Sequence, residues 1–167
     1  MFAWYAPENI PLLLLDDGIA PEAERVAALA ALTSVSLLTP SPETTSGPTV
    51  TLHRLVQAVM RHRLAAQDAA EATRDAAVAR LSALFPSGAY RNPVNWPQCR
   101  ALLPHVRVLV ERLGFSYETL ELAELLSSVD NFLDGSGDTA SAVALSRRCL
   151  EIRERVLGKS IPIRSPA

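Results

Sequence analysis

The stretch Ser34–Leu64, SVSLLTPSPETTSGPTVTLHRLVQAVMRHRL, decides how this chain is read. Val35, Leu37 and Leu38 run up to Pro40. A turn-forming run, Thr39–Pro48, follows. Thr49, Val50, Thr51 and Leu52 are then β-branched or apolar. This order predicts strand, loop and strand, with the loop forming a hairpin or wing. From His53 the period changes. Val56, Met60 and Leu64 recur every four residues, with Leu55 and Val59 beside them, which predicts a helix to Leu64.

Helical periodicity dominates on both sides of this unit. Upstream, Pro21 opens a helix where its missing N–H costs little, and Val26, Leu29 and Leu32 form the expected inner stripe. A short apolar stretch, Ile10–Leu15, precedes it. Downstream, a helix is expected from about Ala66 to Phe85, with Ala77, Val78, Leu81, Leu84 and Phe85 facing inward. A Pro-rich break, Phe85–Pro97, separates it from the next helix. There Leu102, Val106, Leu109 and Leu113 share one face up to Gly114. A fifth helix, Tyr117–Leu133, ends at Gly135 and Gly137, and a sixth, Thr139–Leu157, ends at Gly158. Ala142, Leu145, Cys149, Ile152 and Val156 form the inner stripe of the sixth. The expected fold class is mainly α: a winged-helix-like front end with a small β-hairpin, a helical connector and a closing αα-hairpin.

Composition excludes several classes. The 167 residues are 49% hydrophobic and 20% charged, too apolar for a disordered chain. Net charge is −2 and the isoelectric point is near 5.9, so nothing draws the chain generally to nucleic acid or an anionic membrane. Cys99 and Cys149 are too few for a disulfide framework or a zinc site, which fits a reducing compartment. The longest uninterrupted apolar run, Val26–Leu32, is far short of a membrane span. The start, MFAWYAPENIP, lacks a basic region and a small-residue cleavage site. A soluble cytoplasmic protein is expected.

The closing pair carries a repeat signature. LAELLSSVDNFLDGSGDTASAVALSRRCLEIRERVLG resembles a tetratricopeptide repeat, two antiparallel helices in about 34 residues with small residues where they touch. Gly137-Asp138 takes the turn, Ala142 the first small position and Cys149 the second. Asp130, where a small residue is usual, and Ser146, where an aromatic is usual, depart from it. The ending LEIRERVLG resembles the longer repeats of kinesin-light-chain type.

In sequence order, APENIPLLLL, LAALTSVSLL, TVTLHRLVQAVMRHRL, NWPQCRALLPHV and this repeat resemble the region after the nucleotide-binding core of NB-ARC-type STAND signalling ATPases. The resemblance covers about Ala6–Gly158. It implies a winged-helix regulatory part (1–64), a helical connector (65–115) and a tetratricopeptide-like hairpin (116–158); the residues after it (159–167) read by themselves as a loose tail. It also implies a role for one residue. Leu52-His53-Arg54 resembles the family's Met-His-Asp motif, in which the histidine contacts the β-phosphate of ADP, although Arg54 departs from Asp. His53 would make that contact only when joined to a nucleotide-binding core; by itself it reads as a histidine at a strand-to-helix junction.

No cofactor, metal or catalytic residue is expected. A P-loop is lacking, since Gly158-Lys159-Ser160 has Arg153 where the first glycine belongs and follows a helix. His53, His62 and His105 form no zinc-protease spacing, and Cys99 with His105 reads as a chance neighbour. Asp16-Asp17 and Glu118, Glu121 and Glu124 read as solvated, and Trp4 and Trp96 as core anchors. A winged-helix DNA-binding regulator is one alternative, but the helix PEAERVAALAALT has one arginine against two glutamates and the wing has no basic residue. A tetratricopeptide adaptor holding a peptide is another. The preferred expectation is a non-enzymatic interaction and regulatory fragment. Its partner would be a protein or missing domains of the same system, not a membrane, with nucleic acid disfavoured. Uncovered apolar helix faces at both ends would also allow homo-oligomers.

Overall fold

The structure is a computed structural model and describes residues 1–15, 21–44 and 47–158. Asp16-Asp17, Lys159 and the 159–167 tail lie outside the described residues. The elements in order are β1 (Ile10–Pro11), α1 (Glu22–Ser34), β2 (Leu38–Thr44), β3 (Gly47–Leu52) and α2 (Arg54–Ala66). Then come α3 (Ala70–Leu84), α4 (Trp96–Leu113), α5 (Leu120–Ser136) and α6 (Thr139–Gly158). Short 3-10 turns occur at Phe2–Trp4, Leu12–Leu15 and Pro93–Asn95. The chain is mainly α with a small hairpin, as its sequence led us to expect.

The Pro-rich stretch is more ordered than its composition suggests. β2 does not stop at Pro40 but continues to Thr44, and β3 begins at Gly47. Pro40 pairs with Val50, and Leu38 with Leu52. Proline is tolerated there because the sheet order is β1-β3-β2, so among the described residues β2 is an edge strand with no second neighbour needing its N–H. The Ser41 and Thr51 hydroxyls meet across the pair at 2.9 Å. On the other side of β3, Ile10 pairs with Val50 and Pro11 with Thr49. The stretch read only as apolar is thus partly a strand, too short to show a period.

The helix boundaries follow local chemistry. Thr119 caps α5 by accepting from the Leu122 N–H at 3.2 Å, and Gly137 stops it in the left-handed conformation (φ 91°). Gly135 lies inside α5 and does not end it. Asp138 accepts from the Ser141 N–H and starts α6. Pro97 falls in the first turn of α4, where no N–H is needed, whereas Pro104 lies inside that helix.

One cluster of buried side chains runs from Tyr5, Ile10 and Leu14 through Leu81, Leu102 and Leu109 to Leu126, Cys149 and Ile152. α5 is its hub and packs against α3, α4 and α6. Phe132 of α5 takes edge-on contacts from Phe85 and Trp96, with centroids 6.4 and 6.3 Å away, and Trp96 donates its indole N–H to the Ala89 carbonyl. In the antiparallel α5–α6 pair, Ala123 and Cys149 meet closely enough for the thiol to reach the Ala123 carbonyl at 3.2 Å.

Two inner stripes differ from expectation. In α2 the fully buried residue is Gln57, while Leu55, Val59 and Met60 are exposed. In α1 the expected stripe turns inward only in part: Leu29 and Leu32 are half-buried against the core, while Val26 is 59% exposed.

Gly135 is held by a backbone approach: a Cβ there would lie 2.7 Å from the Tyr90 Cα and 2.9 Å from its carbonyl oxygen. Gly135→Ala is expected to cost about 1–3 kcal/mol, because rigid backbone must give way despite the better helix propensity of alanine. A urea titration followed by circular dichroism checks this; an unchanged or raised midpoint would refute the close approach.

Candidate functional site

Residues Phe2–Asn9 run as irregular backbone among the helices. Buried carbonyls need donors, and a segment without a ladder must take them from side chains. Gln57 of α2 donates its amide N–H to the Phe2 carbonyl (2.8 Å) and the Tyr5 carbonyl (3.1 Å). Arg61 of α2 and Arg112 of α4 both donate to the Ala3 carbonyl at 2.7 Å. Arg112 also reaches the Tyr5 carbonyl (3.0 Å) and the Gln57 side-chain oxygen (3.2 Å). The Tyr5 hydroxyl donates to the Ala77 carbonyl of α3, and Arg80 of α3 donates to the Leu13 carbonyl. Burial and the neighbouring Arg61 lower the Arg112 pKa from its ordinary value.

Beside this clamp lies an open cleft of about 860 Å³ between Ala6–Asn9 and α4. Arg54, Arg100 and Arg112 contribute to its lining, as do Glu8 and Glu111, so its charge is mixed. His105, 1% exposed, forms part of the same lining. Its Nε2 faces the Asn9 carbonyl at 3.2 Å. A carbonyl only accepts, so Nε2 carries the proton and Nδ1 is the bare nitrogen. Nδ1 is buried without a partner among the described residues. Burial pushes the His105 pKa down to about 4, against a smaller opposing effect of the Asn9 hydrogen bond. Asn9 presents its carbonyl from the left-handed region (φ 51°), which asparagine tolerates better than most residues.

His53 lies outside this lining, next to Arg54. It is exposed and is the N-cap of α2, where Nδ1 accepts from the Leu55 N–H at 3.2 Å. The ring is thus held at the strand-to-helix junction with Nε2 pointing away from its own cap. Cys99 and His105 are both buried in α4, and burial raises the Cys99 thiol to about 11, far from a reactive thiolate. Among the described residues no group of three His, Cys, Asp or Glu side chains is arranged to hold a metal. No helix among them is long and apolar enough to cross a membrane.

A second, polar groove of about 680 Å³ lies where α3 ends against α4, α5 and α6. Glu124, Ser127, Ser128 and Asn131 on one face of α5 contribute to its lining, with Gln98 and Arg153. Glu124 is exposed, as its place on a wet face predicts, whereas the clamp leaves no mark in the sequence pattern. Gln57, Arg61, Arg80 and Arg112 stand on amphipathic helices as ordinary polar residues, and the carbonyls they serve are 52 to 109 residues away in the chain.

Arg112→Met is expected to lower stability by about 1–3 kcal/mol, the usual range for losing charge-assisted bonds to buried carbonyls. Amide exchange should quicken first at residues 2–9; uniform exchange with an unchanged urea midpoint would count against the clamp. His105 gives a pH signature. Its neutral form is favoured in the fold, whereas the unfolded chain takes up a proton below its ordinary value of 6.5. Its contribution is therefore complete above about pH 6.5 and is lost progressively toward pH 4, by up to about 3 kcal/mol. His105→Gln should flatten stability against pH across that window; an identical profile would show that the loss arises elsewhere.

Comparison with protein-family models, curated proteins and solved structures gives no match to this chain.

Proposed function

We propose that this chain is a non-catalytic protein-interaction and regulatory module, resembling the region that follows the nucleotide-binding core of STAND ATPases. The observation that carries the reading is the incomplete burial of its front end. In α1 even the inward-facing Leu29 and Leu32 are only half-buried, and Val26, Val35 and Leu37 are exposed. A cleft of about 290 Å³, with Leu12, Leu13, Val26 and Leu29 in its lining, remains between α1 and the turn before it. On α2, Leu55, Val59 and Met60 are exposed as well. Apolar surface of this kind is costly in water and marks a face that another protein surface covers.

In this reading the front end docks on a partner protein or an adjoining domain, and the clamped N-terminal segment keeps it rigidly joined to the helices behind. The setting is the cytoplasm, in keeping with two buried free cysteines. His53 contacts a nucleotide phosphate only when such a core is present: capping α2 occupies Nδ1 alone, and the remainder of a nucleotide site has to come from that core.

Two measurements test the proposal. Calorimetry with ADP or ATP should show no micromolar binding to the isolated chain; binding that His53→Ala abolishes would overturn the non-nucleotide reading. A dye that reports apolar surface should bind the chain, and Val26→Glu with Leu55→Glu should lower that signal at unchanged helicity. No dye binding, or saturable DNA binding at moderate salt, would favour another function.

A further inference from the structure

α6 carries a second uncovered face with its own internal symmetry. Val143, Leu150 and Leu157 are 55%, 60% and 52% exposed and fall seven residues apart. At about 100° per residue they drift only about 20° per step, and they span about 21 Å of helix. Their stripe is centred on Leu150. Arg147 and Glu154 flank it on one side, about 60° and 40° around from Leu150. Both are exposed, and neither has a hydrogen-bond or ion-pair partner among the described residues. Their midpoint also falls within one residue of Leu150. The other flank carries Ser146 and Arg153, which bring no like-charge pair across that centre.

A stripe and a charge pair that share one centre fit a two-fold axis. We propose that α6 pairs with α6 of a second copy of this chain, antiparallel, with the axis passing at Leu150. Leu150 then meets its own counterpart, and Val143 of each copy meets Leu157 of the other. In an antiparallel pair each flank faces the same flank of its mate, so Arg147 of each copy lies opposite Glu154 of the other, twice over. A parallel pairing would set each flank against the opposite one, placing Arg147 beside Ser146 and leaving only Glu154 with a charged mate, Arg153. The inner side of α6 is taken up by α5: Cys149 reaches Ala123, Arg155 reaches Glu118, and Arg148 reaches the Gly114 carbonyl just before α5. The outer stripe is therefore free to pair without unfolding the hairpin. This inference deepens the reading of the chain as an interaction module by naming one partner and one face, apart from the docking face of α1 and α2.

Sedimentation of the full chain from about 1 µM to about 1 mM brackets so small a contact. It should show a reversible monomer–dimer equilibrium, and Leu150→Glu should leave only monomer. Arg147→Glu and Glu154→Arg each set like charges opposite one another and should each weaken dimerisation about tenfold or more. An equimolar mixture of those two single variants should dimerise again, since each supplies the charges that the other now needs. Helicity measured on every variant confirms folding, and the mixing result stands even if Leu150→Glu does not fold. A monomer throughout the range, a dimer that survives Leu150→Glu, or a mixture no stronger than its components would overturn the proposal. Dimerisation abolished by Val26→Glu with Leu55→Glu instead would refute this face while leaving the broader interaction reading intact.

Discussion

An irregular backbone cannot be buried unless its carbonyls find donors, and this chain buries such a segment among four of its elements. Helices satisfy their own carbonyls, and the sheet satisfies those of its strands. Phe2–Asn9 has neither resource beyond one short turn and the bond from the Leu52 N–H to the Pro7 carbonyl. Gln57, Arg61, His105 and Arg112 supply the rest. Because these donors stand on α2 and α4, while Ala77 of α3 accepts from Tyr5 and Arg80 of α3 holds the Leu13 carbonyl just beyond, the segment joins the front end to the helices behind it. The burial of Gln57, which looks wrong for an amphipathic helix, is what this arrangement requires.

The second organising element is α5. It offers small or apolar side chains on three sides, and each side meets a different helix. Against α6 the contact is close enough for Cys149 to touch backbone; against the Tyr90 loop it is close enough to exclude a Cβ at Gly135. The loop before α5 is tied down by cations over rings, Arg74 over Tyr117 at 4.6 Å and Arg148 over Phe115 at 5.2 Å. The polar face of α5 and the outer face of α6 are left to solvent. So are the outer side of α1 and much of α2, and the molecule therefore presents apolar surface both at its front end and on α6.

Much of this was legible in the residues. The inner faces of α4, α5 and α6 follow from the periodic recurrence of Leu, Val and Ala. The stops at Gly114 and Gly137 follow from glycine's access to positive φ, 67° and 91° here. The hairpin after Leu37 follows from a turn-rich run between β-branched residues, although its strands reach further into that run. His53 was legible as a junction residue, and it does cap α2. The clamp was not legible. Nothing in QAVMR distinguishes a glutamine and an arginine that face water from two that face a buried carbonyl.

The sequence by itself determined the class of each long element and its turns, because these depend on neighbours within a few residues: the helical period, the helix caps, the prolines at helix starts and the glycines at helix ends. Only the tertiary structure decided which face of α2 turns inward, that Ile10-Pro11 joins the sheet, that Pro40 sits on an edge strand, and that His105 is buried neutral against Asn9. Each of those outcomes depends on a donor, an acceptor or a strand brought in from far along the chain, and the free energy of burying a polar group is set by the partner that arrives there.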